Sequence, residues 1–262
     1  MYLVHPIYNA TFNIKFYKTV IAIMPSNALV QPNLINTSFM QINEACWCGI
    51  AQLVEEKPLV ASSIVSKNTA SNKTALAAQR MAVRTLCQQL LIQANRVDEL
   101  DDSQFPYRLK EHGDYLCFTH SHDYVAVLLN ARRPCGIDLE LSAVRWRTAQ
   151  RFYHADELAA LAALEPTFRE VVCRYLWQIK ECIVKVEQGT LIPTLGQSLL
   201  PQLTDLIVIL TSYRTQTPYP MTIETEDTLD ETHWLQLTQP VPLDNGDYYI
   251  HLSPYLRLVS LC

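Results

Sequence analysis

The chain has 262 residues, of which 49% are hydrophobic and 18% charged, with a formal net charge of −5. This composition supports a sizeable folded core and excludes both a disordered chain and a globally basic nucleic-acid binder. Only six glycines are present, Gly49, Gly113, Gly136, Gly189, Gly196 and Gly246. No two lie close enough to build a phosphate-cradling loop, which excludes the P-loop and the Rossmann fingerprint.

The N-terminal stretch MYLVHPIYNATFNIKFYKTVIAIMP is apolar in patches, broken by Asn9, Asn13, Lys15 and Lys18, a pattern unlike a signal peptide. No apolar run reaches the roughly 18 residues that a membrane span needs. The eight cysteines are scattered, without a C-x-x-C pair, and Cys46-Trp47-Cys48 is the only close pair. They read as core thiols, and the expectation is a soluble protein of a reducing cytoplasm.

Residues 60–74 are small and polar and read as a loop. Leu76, Ala77, Met81, Val83, Leu86, Leu90 and Leu91 then recur at helical steps, ended by the charged, proline-containing DELDDSQFP. Tyr115–Phe118 and Tyr124–Leu129 read as two strands around a polar turn, Thr119-His120-Ser121-His122-Asp123, and a third strand covers Cys135–Leu141. Asp156-Glu157 opens a short helix with an acidic first turn. A longer helix runs from about Phe168 to Glu187, with Val171, Val172, Tyr175, Leu176, Ile179, Ile183 and Val184 in the helical period. From Gly189 onward the chain reads as strands and polar loops. One echo links the halves: His120 precedes Tyr124 by four, His251 precedes Tyr255 by four, and an apolar strand follows each.

Within the third strand, Gly136-Ile137-Asp138-Leu139-Glu140 places Asp138 and Glu140 on one face by the period of two, with Ile137, Leu139 and Leu141 on the other. Paired carboxylates are tolerated when a cation lies between them, although an isolated D-x-E is more often a solvated strand face. In the long helix, Trp177, Glu181 and Lys185 follow one another at four-residue steps and so share a face. Glu before Lys at that spacing is often a surface ion pair, yet Ile183 and Val184 make this helix largely buried. A histidine in a turn is, by itself, usually a polar loop residue.

Together these pieces resemble the 4′-phosphopantetheinyl transferases, in the longer, pseudo-dimeric class that activates peptide synthetases and similar carrier proteins. That family carries G-[IV]-D-[IVL]-E, then W-x-x-K-E-[SA]-x-x-K about forty residues later, preceded by an S-H-S turn. Here Glu181 lies 41 positions after Glu140, and Trp177, Lys180, Glu181 and Lys185 fall in register, with His120 18 positions before Asp138. Arg151-Phe152-Tyr153-His154-Ala155-Asp156-Glu157 also looks like the family's F-x-x-x-E helix start. The resemblance covers residues 72–195.

The resemblance implies an α+β fold of two similar subdomains related by a pseudo-twofold. Each would be a small, mostly antiparallel sheet packed with a long helix: residues 1–134 on the coenzyme A nucleotide side, and 135–262 carrying the metal and catalytic motifs. It implies Mg2+-dependent transfer of phosphopantetheine from coenzyme A to a serine of an acyl or peptidyl carrier protein, releasing adenosine 3′,5′-bisphosphate, with Mn2+ as an alternative to Mg2+. By position, Asp138, Glu140 and Glu181 match the metal carboxylates, and Lys185 the lysine at the phosphates. His120 and Thr119 match residues at the 3′-phosphate, and Arg80 and Arg84 resemble an arginine-bearing helix near the nucleotide. Glu181 is either ligand or general base. Where the family has G-K-P, this chain has Gln104-Phe105-Pro106, so Arg108 or Lys110 is left to supply the missing charge. Thr119 replaces the first serine of S-H-S, and Cys182 stands where Ser or Ala is usual.

Arg145, Arg147 and Arg151, with Trp146 among them and Arg132 and Arg133 before them, suit a surface that steers an acidic carrier, or an ordinary solvated face. A monomer is expected, with no nucleic-acid or membrane partner. The rival readings are a metal-dependent phosphohydrolase of a nucleotide diphosphate and a non-catalytic coenzyme A-binding module. The clustered R-E-x-x-E-E helix of such hydrolases is absent.

Overall fold

Strand alternation builds the first sheet. The computed structural model describes residues 33–54, 70–189, 191–216, 240–252 and 257–262; the N-terminal stretch, most of the 60–74 loop and Tyr255 of the echo lie outside these residues. Six strands, β1 (Asn33–Asn43), β2 (Cys46–Val54), β3 (Leu100–Asp101), β4 (Tyr107–Leu109), β5 (Tyr115–Ser121) and β6 (Tyr124–Asn130), form an antiparallel sheet in the order β1-β2-β6-β5-β4-β3. One face of this sheet, with Ala51, Leu53, Leu116, Val125, Val127 and Leu129, packs on α1 (Ala70–Gln93) through Val83, Leu86, Cys87 and Leu90. The helix therefore starts at Ala70, several residues before the expected Leu76.

The other face carries Cys46, Cys48, Ile50, Cys117, Ala126 and Leu128. These pack on Cys135, Ile137, Leu139, Leu258 and Cys262 of the second sheet. All eight cysteines are buried and unpaired by disulfides, in keeping with their apolar sequence neighbours. The second sheet is antiparallel, in the order β7-β10-β9-β8, from β7 (Gly136–Leu139), β8 (Val241–Leu243), β9 (Tyr248–Leu252) and β10 (Arg257–Leu261). Its core is shared with α2 (Trp146–Phe152), α3 (Ala155–Ala162), α4 (Pro166–Glu187), α5 (Leu191–Leu195) and α6 (Leu200–Gln216). The described residues are thus a mixed α+β fold of six helices and two antiparallel sheets. None of these helices is long and apolar enough to cross a membrane.

Local chemistry explains α4. Glu165 caps it by accepting from the N–H groups of Thr167 and Phe168, each at 3.0 Å, and Pro166 opens it where no N–H is needed. Gln188, at φ 54°, closes it in the left-handed region. The hydrogen bonds around Glu165 hold its carboxyl at about 2.

Two expectations need correction. Thr119, His120 and Ser121 are strand, not turn: β5 runs to Ser121 and β6 starts at Tyr124, leaving only His122 and Asp123 to reverse the chain. His122 takes φ 54° to do so. The segment after Gly189 is not strands and loops but begins with α5 and α6. In α6, Leu203, Leu206 and Leu210 are fully buried at helical spacing, and Pro201 sits in the first turn, where it costs no hydrogen bond.

Candidate active site

Gly136 lets a strand and a helix meet. A Cβ there would lie 2.5 Å from the Cys182 carbonyl oxygen and 2.9 Å from its Cα, distances that backbone cannot yield. With hydrogen in its place, β7 lies directly against α4, and Asp138 on the strand meets Lys185 on the helix, one turn past Glu181.

Asp138 is 8% exposed. Lys185 Nζ donates to Asp138 Oδ1 at 2.9 Å and to the Ile137 carbonyl at 2.6 Å. Gln178 Nε2 donates to the Asp138 carbonyl at 3.0 Å. Burial raises the Asp138 pKa, and the Glu140 charge adds to the rise against the pull of Lys185. Half-buried Glu181 is raised by burial and then by Asp138 and Glu140. Burial opposes the charge on Lys185, but Asp138 and the surrounding groups outweigh it and hold its pKa well above the usual lysine value. The three carboxyl groups and Lys185 therefore share one electrostatic environment.

The neighbouring strand fixes the acids. Thr119 Oγ1 donates to Asp138 Oδ1 at 3.3 Å and accepts from the Leu139 N–H at 3.3 Å. Two residues on, Ser121 Oγ donates to Glu140 Oε1 at 3.5 Å and accepts from the Leu141 N–H at 3.2 Å. The period of two on β5 matches that of the opposing chain, so each hydroxyl links one carboxylate and the next backbone N–H. Glu140 itself lies just past the end of β7, where the Ser142 N–H donates to Oε1 at 2.7 Å.

His120, between the two hydroxyls, is exposed on the opposite face of β5, the face that α1 covers. Gln79 Nε2 donates to the His122 carbonyl at 3.0 Å, which brings the first half of α1 beside the β5–β6 turn. Arg80 and Arg84 lie exposed on that helix, and Arg84 pairs with Asp102. Arg108 is committed to Tyr115, donating to its hydroxyl at 2.9 Å with the guanidinium 4.2 Å over its ring. Lys110 pairs with Glu99 at 2.7 Å. The residues matched to coenzyme A thus divide: Thr119 turns to the acids, whereas His120, Arg80 and Arg84 are on the α1 side.

Lys180 stands apart from Glu181 despite being its neighbour. It is fully buried and paired with fully buried Glu157 at 2.9 Å, and it also donates to the Leu195 carbonyl at 2.8 Å. Glu157 in turn accepts from the N–H groups of His154 at 3.0 Å and Leu199 at 2.7 Å. This pair ties α3, α4 and the approach to α6 into one unit.

Three participants escaped the sequence reading: Ser121, Gln178 and Arg174. Arg174 is 2% exposed, its Nε has no hydrogen-bond partner among the described residues, and burial lowers its pKa to about 10 with Glu140 among the charges acting on it. The signal that could have found them is spacing: Ser121 is two past Thr119, and Arg174 and Gln178 are seven and three before Glu181 on the same helical stripe.

The donor chemistry fits a hard divalent cation, with three carboxylates whose mutual repulsion a cation would relieve. Among the described residues, no three His, Cys, Asp or Glu side chains are already arranged as a cage; the Lys185 ammonium is the cation bonded to Asp138. On α2 and its approach, Arg145, Arg147 and Arg151 are exposed and have no ion pair among the described residues, Arg169 lies 4.6 Å over the Trp146 ring, and Arg151 lies 5.1 Å over Phe152. Arg132 and Arg133 are instead paired with Glu44 at 3.3 Å and Asp247 at 2.9 Å. Comparison of the sequence with family models and with curated proteins gives no match.

Proposed function

We propose that this chain is a 4′-phosphopantetheinyl transferase of the longer class, moving the phosphopantetheine arm of coenzyme A onto a serine of an apo acyl or peptidyl carrier protein. The observation that supports the reading is the Lys185–Asp138 contact across the Gly136 junction, which joins the two motifs, with the charges of Asp138 and Glu140 acting on Glu181. We read residues 1–134 and 135–262 as two related halves with a pseudo-twofold between them. In support, each carries an antiparallel sheet packed with a long helix, and the His120 and His251 echo falls near the ends of β5 and β9. The protein acts as a monomer in the cytoplasm, with coenzyme A and the carrier as its partners.

Asp138, Glu140 and Glu181 would hold Mg2+, or Mn2+ in its place. When bound, the ion supplies Lewis-acid polarisation of the diphosphate. The carrier serine oxygen attacks the phosphorus bearing the pantetheine arm, the bond to the bridging oxygen breaks, and adenosine 3′,5′-bisphosphate leaves. Glu181 serves either as the third of these metal ligands or as the base that takes the serine proton. Lys185, one helical turn away, neutralises charge on the leaving phosphate. By resemblance His120, Arg80 and Arg84 serve the coenzyme A nucleotide and Thr119 lies between it and the acids, with Arg108 or Lys110 left to replace the missing lysine at Phe105. The exposed Arg145, Arg147 and Arg151 suit an acidic carrier surface.

The test is incubation with coenzyme A, Mg2+ and a panel of apo carriers of fatty-acid, polyketide, peptide-synthetase and lysine-pathway type, read by mass spectrometry. One carrier should gain the pantetheine arm, and Asp138→Ala or Glu181→Ala should cut the rate by about 100-fold or more while the protein stays folded. Undiminished transfer in both variants would overturn the site assignment. Bisphosphate release without any carrier would point to hydrolysis instead.

A further inference from the structure

We propose that Lys185 is the resident counter-cation of the acidic cluster and competes directly with a divalent ion for Asp138. This rests on the transferase reading above. The Lys185 ammonium is not poised in open solvent. It is held between the Ile137 carbonyl at 2.6 Å and Asp138 Oδ1 at 2.9 Å, with its side chain only 22% exposed. Thr119 bonds the same oxygen, Oδ1, so one oxygen of Asp138 is shared by two donors from two elements.

The charge balance of the pocket gives this contact its meaning. Lys185 bonds Asp138, the Glu140 charge acts on Asp138, both of these acids act on Glu181, and Glu140 is among the charges acting on buried Arg174. Three acids against two bases leave about one negative charge when all are ionised. A divalent ion added alone reverses that sign and places two cations on one carboxylate, at separations where repulsion is several times its value in bulk water. Arg174 cannot withdraw, because it is enclosed in the helix packing. Lys185 can, because it ends a flexible four-carbon stem. It needs somewhere to go, and a diphosphate bound beside the metal offers anionic oxygens within the same small volume. Metal binding is therefore weak in the absence of the diphosphate and strengthens with it, and the residue at 185 sets that coupling.

The test uses the full chain and Mn2+ alone, titrated by electron paramagnetic resonance. Lys185→Met keeps the stem and removes the charge, and it should bind Mn2+ about tenfold more tightly than the wild type, whereas Lys185→Arg keeps a cation and should stay near the wild-type affinity. Equal or weaker Mn2+ binding by the Met variant overturns the proposal. Coenzyme A should tighten Mn2+ binding in the wild type about tenfold and do so far less in the Met variant. If coenzyme A has no effect on any of the proteins while the Met variant still tightens, the counter-cation role stands and the transferase reading falls. Should the Met variant fail to fold, amine-reactive labelling of Lys185 in the wild type, read by peptide mass spectrometry, decides: Mn2+ should raise it several-fold, and unchanged labelling overturns the proposal.

Discussion

Lys180 and Lys185 sit five positions apart on one helix and do opposite things. Lys185 reaches Asp138 of β7, while Lys180 points into the body of the fold and pairs with Glu157, both of that pair fully buried. Burial lowers the Lys180 pKa, and Glu157 works against that fall. A pair of this kind adds little net stability relative to an apolar replacement, but it is costly to break from one side, because the remaining charge is left without a partner. Lys180→Met should therefore destabilise the protein by roughly 3–5 kcal/mol in urea unfolding. The double variant Lys180→Met, Glu157→Gln should recover part of that loss, and the single variant should retain the Mn2+ affinity of the wild type. Both lysines were visible as letters of one motif, but their separate roles were not. The W-x-x-K-E pattern fixes helical spacing, whereas the partner of each lysine comes from a segment elsewhere in the chain.

At the level of elements, the Gly136 contact between β7 and α4 is the joint on which the site depends. Gly136→Ala would drive a methyl group into the Cys182 backbone, where no side chain can swing aside. The expected cost is about 1–3 kcal/mol, as for other overpacked positions, and under the proposed transferase reading carrier turnover should fall as well, because Asp138 and Lys185 move apart. Chemical denaturation and carrier turnover measured on one preparation check this. The helices that carried clear signals were legible in advance. α4 has an apolar period, a capping Glu165 and Pro166 at its start, and the acidic first turn of α3 holds Asp156 and Glu157. α6 was missed because Leu206-Ile207-Val208-Ile209-Leu210 resembles a strand by composition and Pro201 resembles a breaker. Its helical state follows from Leu203, Leu206 and Leu210 packing on neighbours that no local window contains. β5 was cut short for the converse reason: polar Thr119, His120 and Ser121 look like a turn until the Thr119 and Ser121 hydroxyls are seen bonding across to Asp138 of β7 and to Glu140 just past it.

For the molecule as a whole, the site makes stability depend on pH. The folded pKa values of Asp138 and Glu181 are raised above 3.8 and 4.5, so the folded state holds their protons more firmly than the unfolded chain does. Their favourable contribution is present at and below those ordinary values and is lost as pH rises through the raised ones. Glu165, held at about 2, acts in the opposite direction: its contribution is present above its ordinary 4.5 and is lost as pH falls toward 2. Melting temperature should therefore fall on both sides of a mildly acidic maximum. Mg2+ with coenzyme A should lift the neutral side and leave the acid side unchanged, as differential scanning fluorimetry across pH would record. The pairing of the second sheet has a further consequence. The partner of β7 is β10, with Asp138 opposite Val259 and Leu139 opposite Leu258, so the strand bearing the acids is zipped to a segment about 120 positions downstream. Closing so long a stretch is entropically slow. A nascent polypeptide on the ribosome exposes the acidic motif well before the segment that pairs with it has been synthesised, so β7 can meet β5 and α4 before it meets β10.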